Sequence, residues 1–279
     1  MTPENAAPVV DIVIPVYNEE AQLAQSVITL RQYLLQNFPY SWRITIADNA
    51  SQDQTWQIAR RLEQSYPGEV KALHLDQKGR GRALRYAWAC SDAQIVSYMD
   101  VDLSTGLDSF LPLISPLVTG HSMIATGSRL ARGARIKRQF KREVTSRVYN
   151  LLIKLIFGPV FSDAQCGFKA VRKDLIMPML GLIENNEWFF DSELLLLAEH
   201  NHLRIHEVAV DWIEDPDSRV NIRKTVIEDL KGLWRMRFKF WMGGGKLQEI
   251  PARQGLQVRP ETEFVPVPAQ PQREYNHAA

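Results

Sequence analysis

The sequence holds only two cysteines, Cys90 and Cys166, in 279 residues. So few exclude a disulfide framework and a cysteine-built zinc site, and they fit a reducing compartment. Long hydrophobic runs are missing as well. The greasiest segment, "LLIKLIFGPVF" from Leu151, is broken by Lys154 and Pro159, and the run of about 18 apolar residues that a membrane span needs occurs nowhere. An excess of one charge sign is also lacking: 33 Lys and Arg face 32 Asp and Glu. Global attraction to a polyanion is thereby excluded, and any electrostatic message must lie in local clusters. The phosphate-binding fingerprints G-x-G-x-x-G and G-K-[ST] are absent, which removes dinucleotide and P-loop binding. The N-terminus, "MTPENAAPVVDIVIPVYNEE", lacks a basic n-region. It reads as a first core strand and not as a signal peptide, so no export is expected.

What is present is enough apolar content, 45% against 23% charged, to bury a full core. β-Branched runs at Val9 to Val16, Trp42 to Asp48, Val70 to Leu75, Gln94 to Asp100 and Ser122 to Thr126 read as strands. Helical patterns near Glu19 to Gln36, Asp53 to Tyr66, Gly81 to Cys90 and Leu107 to Leu117 lie between them. Such alternation predicts an α/β fold, a mainly parallel sheet with helices on both faces. Residues 1–8 read as an extension and 9–242 as one domain. From Gly243 a "GGG" is followed by prolines at 251, 260, 266, 268 and 271, so 243–279 is expected to be a disordered tail.

In open α/β sheets, ligands bind outside the carboxyl ends of the strands. Four features fall there: Pro15 to Glu19, then Asp48, then "KGRGRA" (Lys78 to Ala83), then "DVD" (Asp100 to Asp102). The strand period of two places Asp100 and Asp102 on one side of the chain. Mg²⁺ or Mn²⁺ takes one or two carboxylates plus substrate phosphate oxygens, so the pair suits a metal–diphosphate. A second D-x-D, at Asp215 and Asp217, closes no apolar strand. "KGRGRA" is a glycine-rich turn into a helix carrying Lys78, Arg80, Arg82 and Arg85, able to offer amides and cations to an anion.

These stretches resemble the family 2 glycosyltransferases of GT-A fold, and among them the polyprenyl-phosphate sugar transferases. "IPVYNEE", "ADNASQDQT", "MDVDLST" and "GSR" (Gly127 to Arg129) are similar to the family's opening, nucleoside-binding, metal-binding and phosphate-facing motifs. "DAQCGFKA", "WFFDSELL" and "VDWIEDPDSRV" resemble the dolichyl-phosphate β-glucosyltransferase branch, and Cys166 to Lys169 tilts the resemblance from mannose toward glucose. The resemblance implies a Rossmann-like nucleotide-sugar-binding sheet and an inverting, metal-dependent transfer of hexose, glucose from UDP-glucose first, to a polyprenyl or dolichyl phosphate. It implies that Pro15, Tyr17, Glu19 and Asp48 frame the nucleoside, with Lys78, Gly79, Arg80 and Asp100 on the nucleotide sugar. Asp100 and Asp102 would hold the metal, and Asp191 and Glu193 would lie near sugar or acceptor. Arg129, with Arg135 or Arg138, would meet the acceptor phosphate. Asn49, Ala50, Gln77 and Arg80 depart from the family's usual residues and leave the base and donor preference open.

The interval Arg129 to Arg142 carries seven basic residues and no acidic one, and it leads into a helix near Phe140 to Phe157 with apolar residues at helical spacing. Such a segment reads either as a membrane-surface contact or as a core-facing helix beside a solvated loop. "KGLWRMRFKFW" (231–241) interleaves aromatic and basic residues in the same way. No nucleic-acid recognition fold accompanies it, so no nucleic-acid partner is expected. The expected location is cytoplasmic, peripheral at the membrane face. Two alternatives share the fold: a transferase with a soluble or saccharide acceptor, and a GDP-mannose-dependent polyprenyl-phosphate enzyme.

Overall fold

The computed structural model describes residues 7–137, 140–213 and 222–258, with the side chains of 137, 140–143 and 222–224 outside that set. Arg138 and the Asp215–Asp217 triplet therefore lie outside the described residues.

Seven strands form one sheet: β1 (Val10–Val16), β2 (Trp42–Asn49), β3 (Val70–Leu75), β4 (Ile95–Met99), β5 (Ile124–Ser128), β7 (Phe168–Arg172) and β8 (Ile205–Ala209), in the order β3-β2-β1-β4-β7-β5-β8. Strands β1 to β4 are parallel neighbours, and β5 is parallel to β8. β7 runs antiparallel between β4 and β5, the one reversal in the mainly parallel sheet that the sequence predicts. A short parallel pair, β6 (Ile136–Lys137) and β9 (Trp212–Ile213), stands apart.

Helices cover both faces because the strands alternate between two cores. Val13 faces a core shared with α3 (Arg80–Cys90), α6 (Lys173–Leu180), α7 (Phe190–His200), and the inner sides of α5 (Phe140–Phe157) and α8 (Ile222–Trp241). Ile12 and Ile14 face the other, with α1 (Leu23–Asn37), α2 (Thr55–Ser65) and α4 (Phe110–Val118). Fully burying each such isoleucine contributes roughly 1.5–3 kcal/mol. Helix α7 is buried from Phe190 through Ala198, with Leu194, Leu195, Leu196 and Leu197 packed into the core. Its two carboxylates, Asp191 and Glu193, must therefore find internal partners.

The sheet order reverses at β1, whose neighbours are β2 and β4. The crevice outside the carboxyl ends of these strands is where an open α/β sheet binds its ligand. Two expectations need correction. Strand β4 ends at Met99, and residues 100–103 form a turn closed by Leu103 N–H donating to Asp100 O at 3.2 Å. The pleat therefore does not set the directions of Asp100 and Asp102. Nor does a free tail begin at Gly243: Asn201 Nδ2 donates to Gly245 O at 2.8 Å, and Leu256 N–H donates to Val118 O at 2.7 Å. Residues 243–258 are thus tied to the body of the domain at several points, among them Gly245, Leu247, Gln254 and Leu256.

Candidate active site

The loops after β1 and β2 are tied to each other. Asn18 N–H donates to Ser51 Oγ at 2.9 Å, Gln52 N–H returns to Asn18 Oδ1 at 2.8 Å, and Glu19 N–H reaches Thr55 Oγ1 at 2.8 Å. Asn18 and Ala50 both hold positive φ, 56° and 60°, which an alanine tolerates only when its surroundings fix it. This double loop holds Pro15, Tyr17, Glu19 and Asp48 at one end of the sheet. Glu19 closes the start of α1, its carboxylate accepting from Gln22 Nε2 at 2.7 Å.

Asp48 is wholly buried. One carboxylate oxygen, Oδ2, lies 2.6 Å from His74 Nδ1; the other, Oδ1, has no hydrogen-bond partner. His74 in turn rests against Trp56, with ring centroids 5.0 Å apart. A buried, unsatisfied acceptor at a strand end costs free energy unless a ligand donates to it.

In the glycine-rich turn after β3, Lys78 Nζ sits 3.6 Å from the centroid of Tyr17. Gly79 N–H donates to Asn49 Oδ1 at 2.7 Å. The asparagine that departs from the family pattern is therefore a strut of this loop. Gly79 has φ of 153°, and a side chain there would meet Asn186 O.

Arg80 dominates the centre. Its guanidinium donates to Asp100 Oδ1 through Nη2 and to Asp191 Oδ2 through Nη1, the latter at 2.8 Å. The rings of Tyr98 and Trp188 stand 5.1 and 5.0 Å from its central carbon. Burial acts to lower the guanidinium's pKa, yet Asp100, Tyr98 and Asp191 together hold it well above its usual range. Asp191 is engaged on its other oxygen too, by Tyr98 Oη and, at 3.2 Å, by Lys169 Nζ. Burial and the Asp191 charge push the Tyr98 phenol well up, so it remains a donor. Lys169 is fully buried and spends its remaining donors on Ala164 O and Cys166 O, at 3.2 and 2.6 Å, which exhausts an ammonium's three N–H bonds.

Asp100 is 44% exposed at its side chain and lies over Gly167, where a Cβ would come within 1.9 Å of Oδ2. Only glycine permits that approach. Asp102 Oδ1 accepts from Ser104 N–H at 3.0 Å. Two hard oxygen donors on one turn, with no group of three His, Cys, Asp or Glu among the described residues able to hold an ion, fit Mg²⁺ or Mn²⁺ that shares its shell with a diphosphate.

Arg129 is brought close but not free. It is 8% exposed and forms a bidentate pair with the wholly buried Asp163, Nε to Oδ2 at 2.7 Å and Nη2 to Oδ1 at 3.0 Å. Burial raises the Asp163 pKa, but the Arg129 charge and hydrogen bonds outweigh it and bring it to about 2. The pair is neutral, so Arg129 is a strut beneath the site and not the open phosphate cation the motif implies. Arg135 is exposed on the neighbouring segment. Glu193, expected near sugar or acceptor, points the other way: two residues from Asp191 on one helix, it accepts from Asn185 N–H at 2.8 Å and Arg235 Nη2 at 2.9 Å. Tyr98, Lys169, Asp163, His74 and Trp188 were not singled out by sequence. Asp163, Lys169 and Trp188 lie within the stretches that resemble the glucosyltransferase branch, whereas His74 and Tyr98 carry no signal of their own.

The model of glycosyl transferase family 2 matches residues 11–179. The chain belongs to that family. Glycosyltransferase AglD of Haloferax volcanii is 30% identical over 234 residues, 83% of this chain but only 37% of its own length. The dolichyl-phosphate beta-glucosyltransferases of Dictyostelium discoideum and Homo sapiens are each 25% identical, over 88% and 85% of this chain and 80% and 78% of theirs. Among solved structures, glucosyl-3-phosphoglycerate synthase from Mycobacterium tuberculosis in complex with UDP superposes with a TM-score of 0.61 at 19% identity, covering 84% of this chain and 82% of that one. The same synthase was also solved with Mn²⁺, UDP-glucose and phosphoglyceric acid, at a TM-score of 0.60. The superposition establishes the GT-A fold, and the family makes the chain a glycosyltransferase.

Proposed function

We propose that this glycosyltransferase moves a hexose, glucose first, from a nucleotide sugar to a polyprenyl phosphate at a membrane surface, with inversion. The observation that carries the reading is the unpartnered Oδ1 of buried Asp48, at the carboxyl end of β2, with the Arg80–Asp100 pair after β4 on the other side of β1. A nucleoside base with a ring N–H satisfies that oxygen, and its diphosphate then falls beside Lys78, Arg80 and Asp100. The UDP complexes of the fold neighbour and the names of the dolichyl-phosphate relatives support the same donor and acceptor classes.

Asp100 and Asp102 would hold Mg²⁺ or Mn²⁺, which when bound offsets charge on the leaving diphosphate. The residues of the chain do the rest. Lys78, its Nζ 3.6 Å from the Tyr17 ring centroid, supplies a second cation, while Arg80 holds Asp100 and Asp191 in place. A phosphomonoester acceptor has its second pKa near 6 and is mostly dianionic at neutral pH, so it needs no strong base. Asp191, with both oxygens already accepting from Arg80, Tyr98 and Lys169, suits positioning better than proton abstraction.

Membrane contact is supported by two helix faces. On α5 the apolar stripe points outward: Val144, Val148, Leu151 and Leu155 are exposed, whereas Tyr149 and Ile153 are buried. On α8, Ile227, Leu230, Trp234, Phe238 and Trp241 are exposed beside Lys231 and Arg237. Basic residues flanking an apolar, aromatic face suit an anionic bilayer surface. Among the described residues no helix is long and apolar enough to cross a membrane.

The test is a panel of nucleotide sugars assayed against a short-chain polyprenyl phosphate and against soluble saccharides, with and without chelator. UDP-glucose with the lipid phosphate is expected to lead, and turnover is expected to fall at least about a hundredfold in chelator or on Asp100→Asn. A saccharide acceptor outcompeting every polyprenyl phosphate overturns the reading.

A further inference from the structure

Between α5 and α8, behind Asp191, lies a set of polar side chains that the reaction described above does not use. Asp229 of α8 is 3% exposed; its Oδ2 accepts from Gln165 Nε2 at 2.9 Å, and its Oδ1 has no partner. Ser146 of α5, equally buried at 3%, has an unpartnered Oγ. Tyr149 Oη and Ser192 Oγ hydrogen-bond at 2.8 Å next to them, linking α5 to the residue after Asp191. Two unsatisfied polar atoms on packed helices, each deep in the protein, are hydrogen-bonding groups that a polar ligand would satisfy. Both helices turn apolar faces outward, so a lipid head leaving a membrane surface would pass between them on its way to Asp191.

We propose that Asp229, assisted by Ser146, binds the phosphoryl head of the acceptor as a neutral carboxylic acid, donating its O–H to a phosphate oxygen other than the one that attacks. The proposal rests on the polyprenyl-phosphate reading above. The surroundings select the neutral form. Among the described residues, the titratable groups facing Asp229 are Asp191 from α7, Tyr149 from α5 and Glu228 on its own helix. Neither Asp191 nor Glu228 is a cation, and Tyr149, whose own pKa burial and Asp229 hold well up, stays uncharged. Burial first, then the charges of Glu228 and Asp191, raise the Asp229 carboxyl to about 7, against the hydrogen bond from Gln165. An acid in that state complements a phosphate dianion, which brings only acceptors. Once ionised, the same group repels it.

Steady-state kinetics of the wild type and Asp229→Asn, with UDP-glucose and a short-chain polyprenyl phosphate across neutral and alkaline pH, tests this. The wild-type KM for the lipid phosphate is expected to rise toward tenfold per pH unit above the Asp229 pKa, while the KM for UDP-glucose stays level. In Asp229→Asn, whose amide cannot ionise, the acceptor KM is expected to lose that rise. Superimposable acceptor profiles in the two proteins overturn the proposal, because a purely structural Asp229 would leave the profile unchanged. Should Asp229→Asn not fold, infrared difference spectra of the wild type decide. Adding the short-chain polyprenyl phosphate should shift a protonated-carboxyl C=O band, and no shift refutes the contact. A wild type that uses no polyprenyl phosphate at any pH shows instead that the acceptor class itself is misread.

Discussion

Asp48 and Arg80 show how far single residues speak for themselves. Asp48 was legible because a carboxylate closing a buried strand has few reasons to be there, and the structure leaves one of its oxygens without a donor. Arg80 was legible only as a cation in a glycine-rich turn. Its bond to Asp191 spans 111 positions, and no local pattern announces a partner that distant. Lys169 was hidden for the same reason, since three acceptors gathered from two segments are what make a fully buried ammonium tolerable. Asp48→Ala is expected to weaken UDP binding by about tenfold to a hundredfold, the worth of a hydrogen bond to a charged group. Isothermal calorimetry at neutral pH measures it, with circular dichroism as the folding control. An unchanged affinity would place the nucleoside elsewhere.

At the scale of elements, the parallel strands β1 to β4 and their helices followed from β-branched runs alternating with helical periods, since both patterns are local. Strands β7 and β8 did not: neither is among the runs read as strands, and the direction of β7 is set by pairing, since "FKAVR" reads alike in a parallel or an antiparallel sheet. The end of β4 was misplaced by one residue, and that residue turned a pleat argument into a turn. For α5 the periodicity found the apolar stripe but could not tell which way it faces, because a core and a bilayer ask for the same residues. The exposed Val144, Val148, Leu151 and Leu155 decide for the outward face. Replacing Trp234, Phe238 and Trp241 by serine is expected to cut flotation with anionic vesicles at least several-fold, and salt is expected to release the unsubstituted protein. Flotation that ignores both changes would exclude these helices as the contact surface.

For the whole molecule, two buried carboxylates pull stability in opposite directions with pH. Asp163, brought down from 3.8 to about 2, contributes stability that is present above its unfolded pKa and is lost as pH falls through about 2. Asp229, raised from 3.8 to about 7, does the reverse: its contribution is complete below 3.8 and is lost as pH rises through about 7. Asp229→Asn is therefore expected to raise the Tm at alkaline pH, by an amount reflecting on the order of a few kcal/mol, and to change it little in mild acid. Scanning calorimetry at two pH values checks the sign, and a loss of stability at alkaline pH would contradict it. On the proposed reading the same body carries the chemistry: a base pocket at Asp48, an Arg80 that clamps Asp100 and Asp191, and an acceptor path between two outward-facing helices. The most direct test of that assembly is the linkage of the product formed from UDP-glucose and a short-chain polyprenyl phosphate, read by NMR at the anomeric carbon. The account predicts a β-linked glucosyl lipid phosphate, the outcome of one displacement on an α-linked donor. An α-linked product, or glucose found on a saccharide hydroxyl with none on the lipid phosphate, would contradict it.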